Sequence, residues 1–432
     1  MRDAHGLGGP DRVLAPTDIR RVVAEALAGF DVDGEDVVVL VPDRTRTCPL
    51  IEVFAAVHAE LAPRVRGIDV VVALGTHTPM PDDAIRAHLG LGDAARHATE
   101  FPKVRFHNHA WDRASELVEV GRLTATDVEE ISGGRLSLDV PVTILQKVAA
   151  ARKILVLGPV FPHEVAGFSG GNKYLFPGVS GRQIIDFFHW RGALITNRGI
   201  IGVRDTPVRA VIDRCAGMVA AEQHALCMVV RPEDGQLAGL FGGPTEAAWK
   251  AASALSSQVH IRWCDRSYRT VLSRCPPMYP DIWTAGKCMY KLEPVVADGG
   301  ELIIWAPHVT EVSRVHGHVL ERIGYHVRAY FVAQWERFEH EPWGVLAHST
   351  HVRGDGAFVD GVERPRVQVT LATGIPEAMC RQIGLGYRDP DSIDPAEFQE
   401  REDDGVLYVP KAGELLFRLA SERDPGFVRR SM

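Results

Sequence analysis

The sequence has no CxxC pair, no basic tract, no internal repeat and no low-complexity segment. Nor does it have an apolar run of the roughly 18 residues a membrane span needs. Each absence closes a class of function. The seven cysteines (Cys48, Cys215, Cys227, Cys264, Cys275, Cys288 and Cys380) are odd in number and scattered. That excludes a disulfide frame or a zinc knuckle and fits single thiols in a reducing compartment. No apolar segment follows the polar start MRDAHGLGGPDR, so a cytoplasmic protein is expected. A formal net charge of −8 without a local basic patch gives nucleic acid nothing to bind. Two nucleotide fingerprints are also missing. The first apolar strand candidate is not followed by GxGxxG, which argues against a conventional NAD enzyme. The nearest approach to GxxxxGK[ST] places Asn172 before Lys173 and Tyr174 where the magnesium-binding hydroxyl belongs, so a P-loop NTPase is not expected.

What is present is 432 residues, too many for one compact core, with an ordinary 46% hydrophobic and 24% charged content. Two domains are expected: residues 1–265 and 266–410, with a tail at 411–432 that could return to the first. One stretch stands out, GPVFPHEVAGFSGGNKYLFPGVSGRQIIDFFHW from Gly158 to Trp190. It holds six glycines, three prolines, His163, His189 and Lys173. Such glycine density permits close backbone approach to a ligand.

The apolar patterning predicts an α/β fold with parallel-rich sheets. A helix is expected over Asp18–Phe30, a buried strand over Asp36–Val41 and a helix over Leu50–Leu61. A second strand is expected over Ile68–Leu74 and a third over Ile154–Leu157. Residues 101–145 read as mixed and strand-rich. Further on, helices are expected near Val208–Met218 and Glu246–Leu255, with a strand at Ala225–Val230 and a hairpin over Asp234–Pro244. The second domain should run strand 270–273, helix 282–296, strand 301–306, helix 310–323 and strand 325–331. It then continues with strand 366–372, helix 376–383 and strand 405–409, ending in a helix-like tail. In open α/β sheets ligands bind beyond the carboxyl ends of strands. The segments Asp43-Arg44-Thr45-Arg46 and Gly75-Thr76-His77-Thr78-Pro79 lie at such ends, and the Gly-rich stretch follows the third strand.

Taken singly, these residues allow several roles. Lys173 can clamp phosphate, form a Schiff base or acyl bond, or merely be solvated. His189 can ligate a metal or pack half-buried. His163 and His77 can be structural, and Asp43 and Arg46 can form a local ion pair. Three histidines, a lysine and an arginine in loops at strand ends make a shared accident the weaker account. The pair His107 and His109 is expected to be exposed, and Phe398–Asp404 reads as a solvated face.

With these residues in view, the chain resembles the nickel-pincer lactate racemase family. The likeness rests on DRTR (Asp43–Arg46), GTHTP (Gly75–Pro79), His163…GGNKYLFPG…His189 and WTAGK (Trp283–Lys287). The resemblance implies two α/β domains with an interdomain active-site cleft. It also implies a Ni(II)-pyridinium-3,5-bisthiocarboxylate mononucleotide tethered to Lys173, with His189 as nickel ligand. It implies His77 and His163 as acid and base on the two faces of a 2-hydroxy acid. Asp43, Arg44, Thr45, Arg46, Pro177, Thr284 and Lys287 would contact the cofactor, and Arg46 and Lys287 would also hold the substrate anion. Removing the C2 hydrogen as hydride avoids a carbanion beside a carboxylate, and returning it to the opposite face inverts the centre. The proteins that build the cofactor are implied as partners. Thr284 stands where a glutamine is typical, and Thr78 where an arginine is common. A larger hydroxy acid or sugar acid is therefore considered beside lactate. Two other readings are an oxidoreductase using the same pocket and a non-catalytic carrier of nickel or the pincer nucleotide.

Overall fold

A computed structural model describes residues 3–132, 134 and 137–423. The chain forms two units. Among the described residues, the first comprises those up to 161 with 168–185 and 207–259; the second comprises 162–167, 186–206 and 260–423. The segments 162–167 and 186–206, expected within the first domain, thus belong to the second unit. The described part of the tail, 411–423, belongs there too, through a parallel pairing of Leu416–Leu419 with Ile261–Cys264.

The first unit is built on a seven-stranded sheet. Its strands are β1 (His5–Gly8), β2 (Asp36–Pro42), β3 (Gly67–Ala73), β4 (Val104–Asn108), β5 (Lys153–Pro159), β6 (Glu222–Val230) and β7 (Leu237–Pro244). The spatial order is β1-β7-β6-β5-β2-β3-β4. The central strands are parallel, with Asp36 opposite Gly67 and Val37 opposite Lys153, while β7 and β1 close one edge antiparallel. Val37, Val39, Leu40 and Val41 are fully buried, as are Val70, Val71 and Val72. Each such side chain contributes about 1.5–3 kcal/mol on burial, which explains why these apolar runs are central strands. From β2 the chain winds outward through β3 and β4, then returns to place β5 and β6 on β2's other side. The order reverses between β5 and β2, the position where open α/β sheets bind ligands.

The second unit holds a wholly parallel five-stranded sheet of β8 (Tyr268–Arg274), β9 (Val296–Ala306), β10 (Gln368–Thr373), β11 (Gly386–Tyr387) and β12 (Val406–Val409). Its order is β11-β10-β9-β8-β12.

Several sequence expectations are corrected. The helix over 282–296 is two short helices, Ile282–Ala285 and Lys287–Tyr290, and a 3-10 turn, because β9 already starts at Val296. Only Gly317–Ile323 of 310–323 is α-helical. The strand over 325–331 gives way to a helix at Arg328–Ala333. Its aromatics pack on neighbouring rings, such as Phe331 edge-on to Trp190 at 6.5 Å, so an apolar run resembling a strand is a buried helix face. Residues 234–244 supply one hairpin arm, β7, whose partner is β6. The tail is a strand and a 3-10 turn, not helix-like. His109 is buried at 1% exposure, with its Nε2 hydrogen-bonded to Ser180 O over 2.8 Å, while His107 turns to Asp69 at 3.0 Å. No described helix is long and apolar enough to cross a membrane.

Candidate active site

Three adjacent strands in the first unit end in the predicted segments. Asp43 follows β2 directly, His77 follows β3 by a turn, and the Gly-rich stretch follows β5. The turn Leu74–His77 is closed by the His77 N–H donating to Leu74 O at 2.9 Å. Gly75 sits at its corner with φ +58°, where a side chain is rarely tolerated. The Gly75 N–H donates to Gly178 O at 3.0 Å, which ties this turn to the Gly-rich stretch.

His77 is thereby brought onto Asp43, with Nδ1 to Oδ2 at 2.5 Å. The other carboxylate oxygen accepts from the Thr45 N–H at 3.1 Å and the Thr45 hydroxyl at 2.7 Å. Asp43 is 7% exposed. Burial alone would raise its pKa; the charge and hydrogen bond of His77, with Arg46 and Thr45, outweigh that and hold it well below the usual carboxylate range. Arg46 is half-buried and Arg44 exposed, so the two arginines of this segment have different surroundings.

Lys173 is half-buried in a 3-10 turn, Gly171–Tyr174. The turn is held from below by residues that no sequence motif singles out. Buried Arg209 donates to Phe168 O at 2.7 Å and lies 3.9 Å over the Trp249 ring, while Trp249 Nε1 donates to Ser169 O at 2.9 Å. Asn172, adjacent to Lys173, donates to Asp213 at 2.9 Å. Tyr174 is packed so closely on Gly158 that a Cβ there would fall 2.0 Å from its hydroxyl oxygen, which explains that glycine. Pro177 is buried and follows a cis peptide bond.

The second unit carries His163, His189, Thr284 and Lys287. His163 is buried, and its Nδ1 accepts the Val165 N–H at 3.1 Å while lying 3.4 Å from the Glu164 carboxylate. His189 is half-buried at the middle of the helix Arg182–Ile195. That helix is pinned by Asp186 accepting from the Gly344 N–H at 2.8 Å and by Trp190 stacked on Trp335 at 5.3 Å. Two further histidines, His348 and His351, are buried within electrostatic reach of His189. Asp281 caps the short helix by accepting the Thr284 N–H at 3.1 Å, and the Thr284 hydroxyl also donates to it at 2.8 Å. Lys287 opens the next helix and is 8% exposed.

Burial lowers the pKa of His109 to about 4, and burial lowers that of His351 to about 4 as well. In the unfolded chain each would titrate near the ordinary value of about 6.5. Below that pH the unfolded form takes up protons the folded form refuses, so stability is complete above it and declines towards pH 4. Melting temperature is expected to be lower near pH 5 than near pH 7; equal values would contradict these assignments.

The Lactate racemase N-terminal domain family model matches residues 19–200. A lactate racemase of Lactiplantibacillus plantarum (strain ATCC BAA-793 / NCIMB 8826 / WCFS1) is 26% identical over 280 residues, 63% of this chain and 60% of that protein. The alignment thus spans less than two thirds of that relative's length. A crystal structure of a Thermotoga maritima protein superposes with a TM-score of 0.86 at 30% identity, covering 96% of this chain and 100% of that one. The lactate racemase apoprotein from Thermoanaerobacterium thermosaccharolyticum has the same fold, with a TM-score of 0.70 at 16% identity over 93% of each chain. Residues 19–200 are thus similar to the lactate racemase N-terminal domain, and the comparisons support a place in the lactate racemase family.

Proposed function

We propose that this protein is a racemase or epimerase of a 2-hydroxy acid, working in the cytoplasm with a lysine-tethered nickel-pincer nucleotide. The observation that carries the reading is the Asp43–His77 pair at the reversal point of the first unit's sheet. The residues fit the cofactor. Lys173 lies in a glycine-rich turn beside that reversal, and the Asn172 side-chain oxygen next to it is a buried acceptor without a hydrogen-bond partner among the described residues. Imidazole suits nickel, which is the role given to His189. Among the described residues no three His, Cys, Asp or Glu side chains form a metal site. In the proposed reading a nickel ion on His189 would take its remaining ligands from the pincer group. When bound, that cofactor supplies the hydride-accepting centre for C2–H chemistry. Asp43, Arg44, Thr45, Arg46, Pro177, Thr284 and Lys287 are proposed to contact it. The Thr284 hydroxyl already donates to Asp281, so any contact it makes with the cofactor is as an acceptor.

The protein's own contribution is proton management and anion binding. With its Nδ1–H donated to Asp43, neutral His77 presents a bare Nε2, the correct form to take a proton from the substrate hydroxyl. His163 has the opposite tautomer, because its Nδ1 accepts a backbone N–H; its Nε2 therefore carries a hydrogen to give. When charged, His163 can turn its Nδ1 proton to Glu164. In this reading one histidine serves as base and the other as acid, and the reverse reaction exchanges the roles. Arg46 and Lys287 are proposed to hold the substrate carboxylate. Thr78 and Thr284, which replace larger polar residues of the family pattern, favour a bulkier 2-hydroxy acid or sugar acid over lactate.

The test is solvent deuterium incorporation at C2 and inversion across a panel of lactate, malate and aldonates. The protein should be produced together with the proteins that assemble the cofactor, and the adduct mapped by mass on the Lys173 peptide. Inversion of at least one acid is expected. A nickel-loaded, adduct-bearing protein that inverts none of them would overturn the reading.

A further inference from the structure

Lys287 raises a physical question: what steadies an ammonium group that is only 8% exposed? A charge largely withdrawn from water needs a compensating environment. The Lys287 amine lies 4.5 Å from the centroid of the Tyr279 ring, and Tyr279 is itself 2% exposed. The backbone of Tyr279 is held by two hydrogen bonds and its ring is abutted by a glycine. The Tyr279 carbonyl accepts a hydrogen bond from His308 Nε2 at 3.1 Å, and the Tyr279 N–H donates to Pro276 O at 3.1 Å. Gly413, at φ +98°, abuts the ring edge so closely that a Cβ there would come within 2.6 Å of it. Two residues further on, Asp281 caps the helix Ile282–Ala285 and accepts from the Arg314 N–H, and Lys287 opens the helix after it.

We propose that Tyr279 is a positioning residue that holds the Lys287 cation for a substrate carboxylate. An aromatic face attracts a cation through its quadrupole, most strongly when both are desolvated. It does so without neutralising the charge. A carboxylate at position 279 would form an ion pair and compete with an incoming anion, whereas a ring there does not. The inference rests on the anion-binding role proposed for Lys287, and the aromatic ring at 279 is the specific chemical requirement.

The experiment compares the full-length wild type with Tyr279→Phe, Tyr279→Leu and Tyr279→Met. Modification of Lys287 by formaldehyde and cyanoborohydride is followed by peptide mass, with the other lysines as internal reference. Phe keeps the ring and should leave the rate at the wild-type level. Leu and Met keep apolar bulk without a π face and should accelerate modification about threefold or more. In the loaded enzyme, Leu and Met should raise KM for the 2-hydroxy acid about tenfold with a smaller change in kcat, and Phe should restore it. Leu or Met proteins that melt like wild type and are modified at the Phe rate would overturn the proposal. The labelling needs no substrate. A changed labelling rate in a protein that racemises nothing therefore upholds the positioning role while rejecting the racemase reading.

Discussion

Asp43→Asn is expected to slow C2 deuterium exchange by roughly 10²–10⁴-fold, the usual worth of a well-placed general base. The substitution keeps size and shape, so the effect is chemical. One Asp43 oxygen takes both Thr45 donors, the N–H at 3.1 Å and the hydroxyl at 2.7 Å. In the variant the amide oxygen would stay with those donors and the amide NH2 would face His77 Nδ1. The imidazole would then have to accept at Nδ1 and carry its hydrogen on Nε2, the wrong tautomer for a base. The negative charge that steadies a protonated His77 would also be gone. The same pair predicts a stability signature. The folded-state pKa of Asp43 lies below its unfolded value of about 3.9. The stabilisation is thus fully present above that pH and disappears as pH falls through the folded value. Asp43→Asn should therefore melt below wild type at neutral pH, with the difference closing in strong acid. A variant within about fivefold of wild-type exchange would remove His77 from the role of base.

The first unit's site is legible in the sequence because its signals are local. Each loop directly follows an apolar run, and strand-end loops share a rim by topology, so the sequence alone groups Asp43, His77 and Lys173. Their pairing is less visible: 34 residues separate Asp43 from His77, and an ion pair between Asp43 and Arg46 is the nearer expectation. Support from a distance leaves no sequence signal at all. Arg209 and Trp249 brace the lysine-bearing turn from 39 and 80 residues along the chain, and nothing in either one's neighbours marks that role. Domain boundaries meet the same difficulty. Residues 186–206 continue the Gly-rich stretch in sequence, yet their apolar and charged side chains find partners in the second unit, including Trp335 and Glu422. Pattern locates elements; it does not say which distant element will supply a buried charge with its partner.

Such a distant partner makes Glu422 the residue with the largest expected effect on stability. Its carboxylate is 1% exposed and lies between two arginines. Arg198 donates to Oε1 at 2.6 Å and Arg418 to Oε2 at 3.1 Å, while Arg418 also donates to Ile201 O at 2.9 Å. Burial works against both cations. At Arg418 it prevails and lowers the pKa; at Arg198 the hydrogen bond and charge of Glu422 outweigh it and raise the pKa. Glu422→Gln would leave the buried Arg418 and the half-buried Arg198 guanidinium groups facing each other with no anion between them. Breaking a buried pair in this way costs about 3–5 kcal/mol, far more than the net worth of the intact pair. For a unit of about 200 residues each kcal/mol moves the melting temperature by about 2–4 °C, so a loss on the order of 10 °C is expected. Arg198→Met in the same protein should recover part of it, because one of the two stranded charges is removed. Arg198 and Ile201 belong to the segment that directly follows the His189 helix, so the C-terminal turn secures the proposed nickel ligand's own stretch of chain. Glu422→Gln should accordingly weaken nickel retention at temperatures where the protein is still folded. A melting temperature within about 2 °C of wild type would mean the triad is solvated and holds nothing in place.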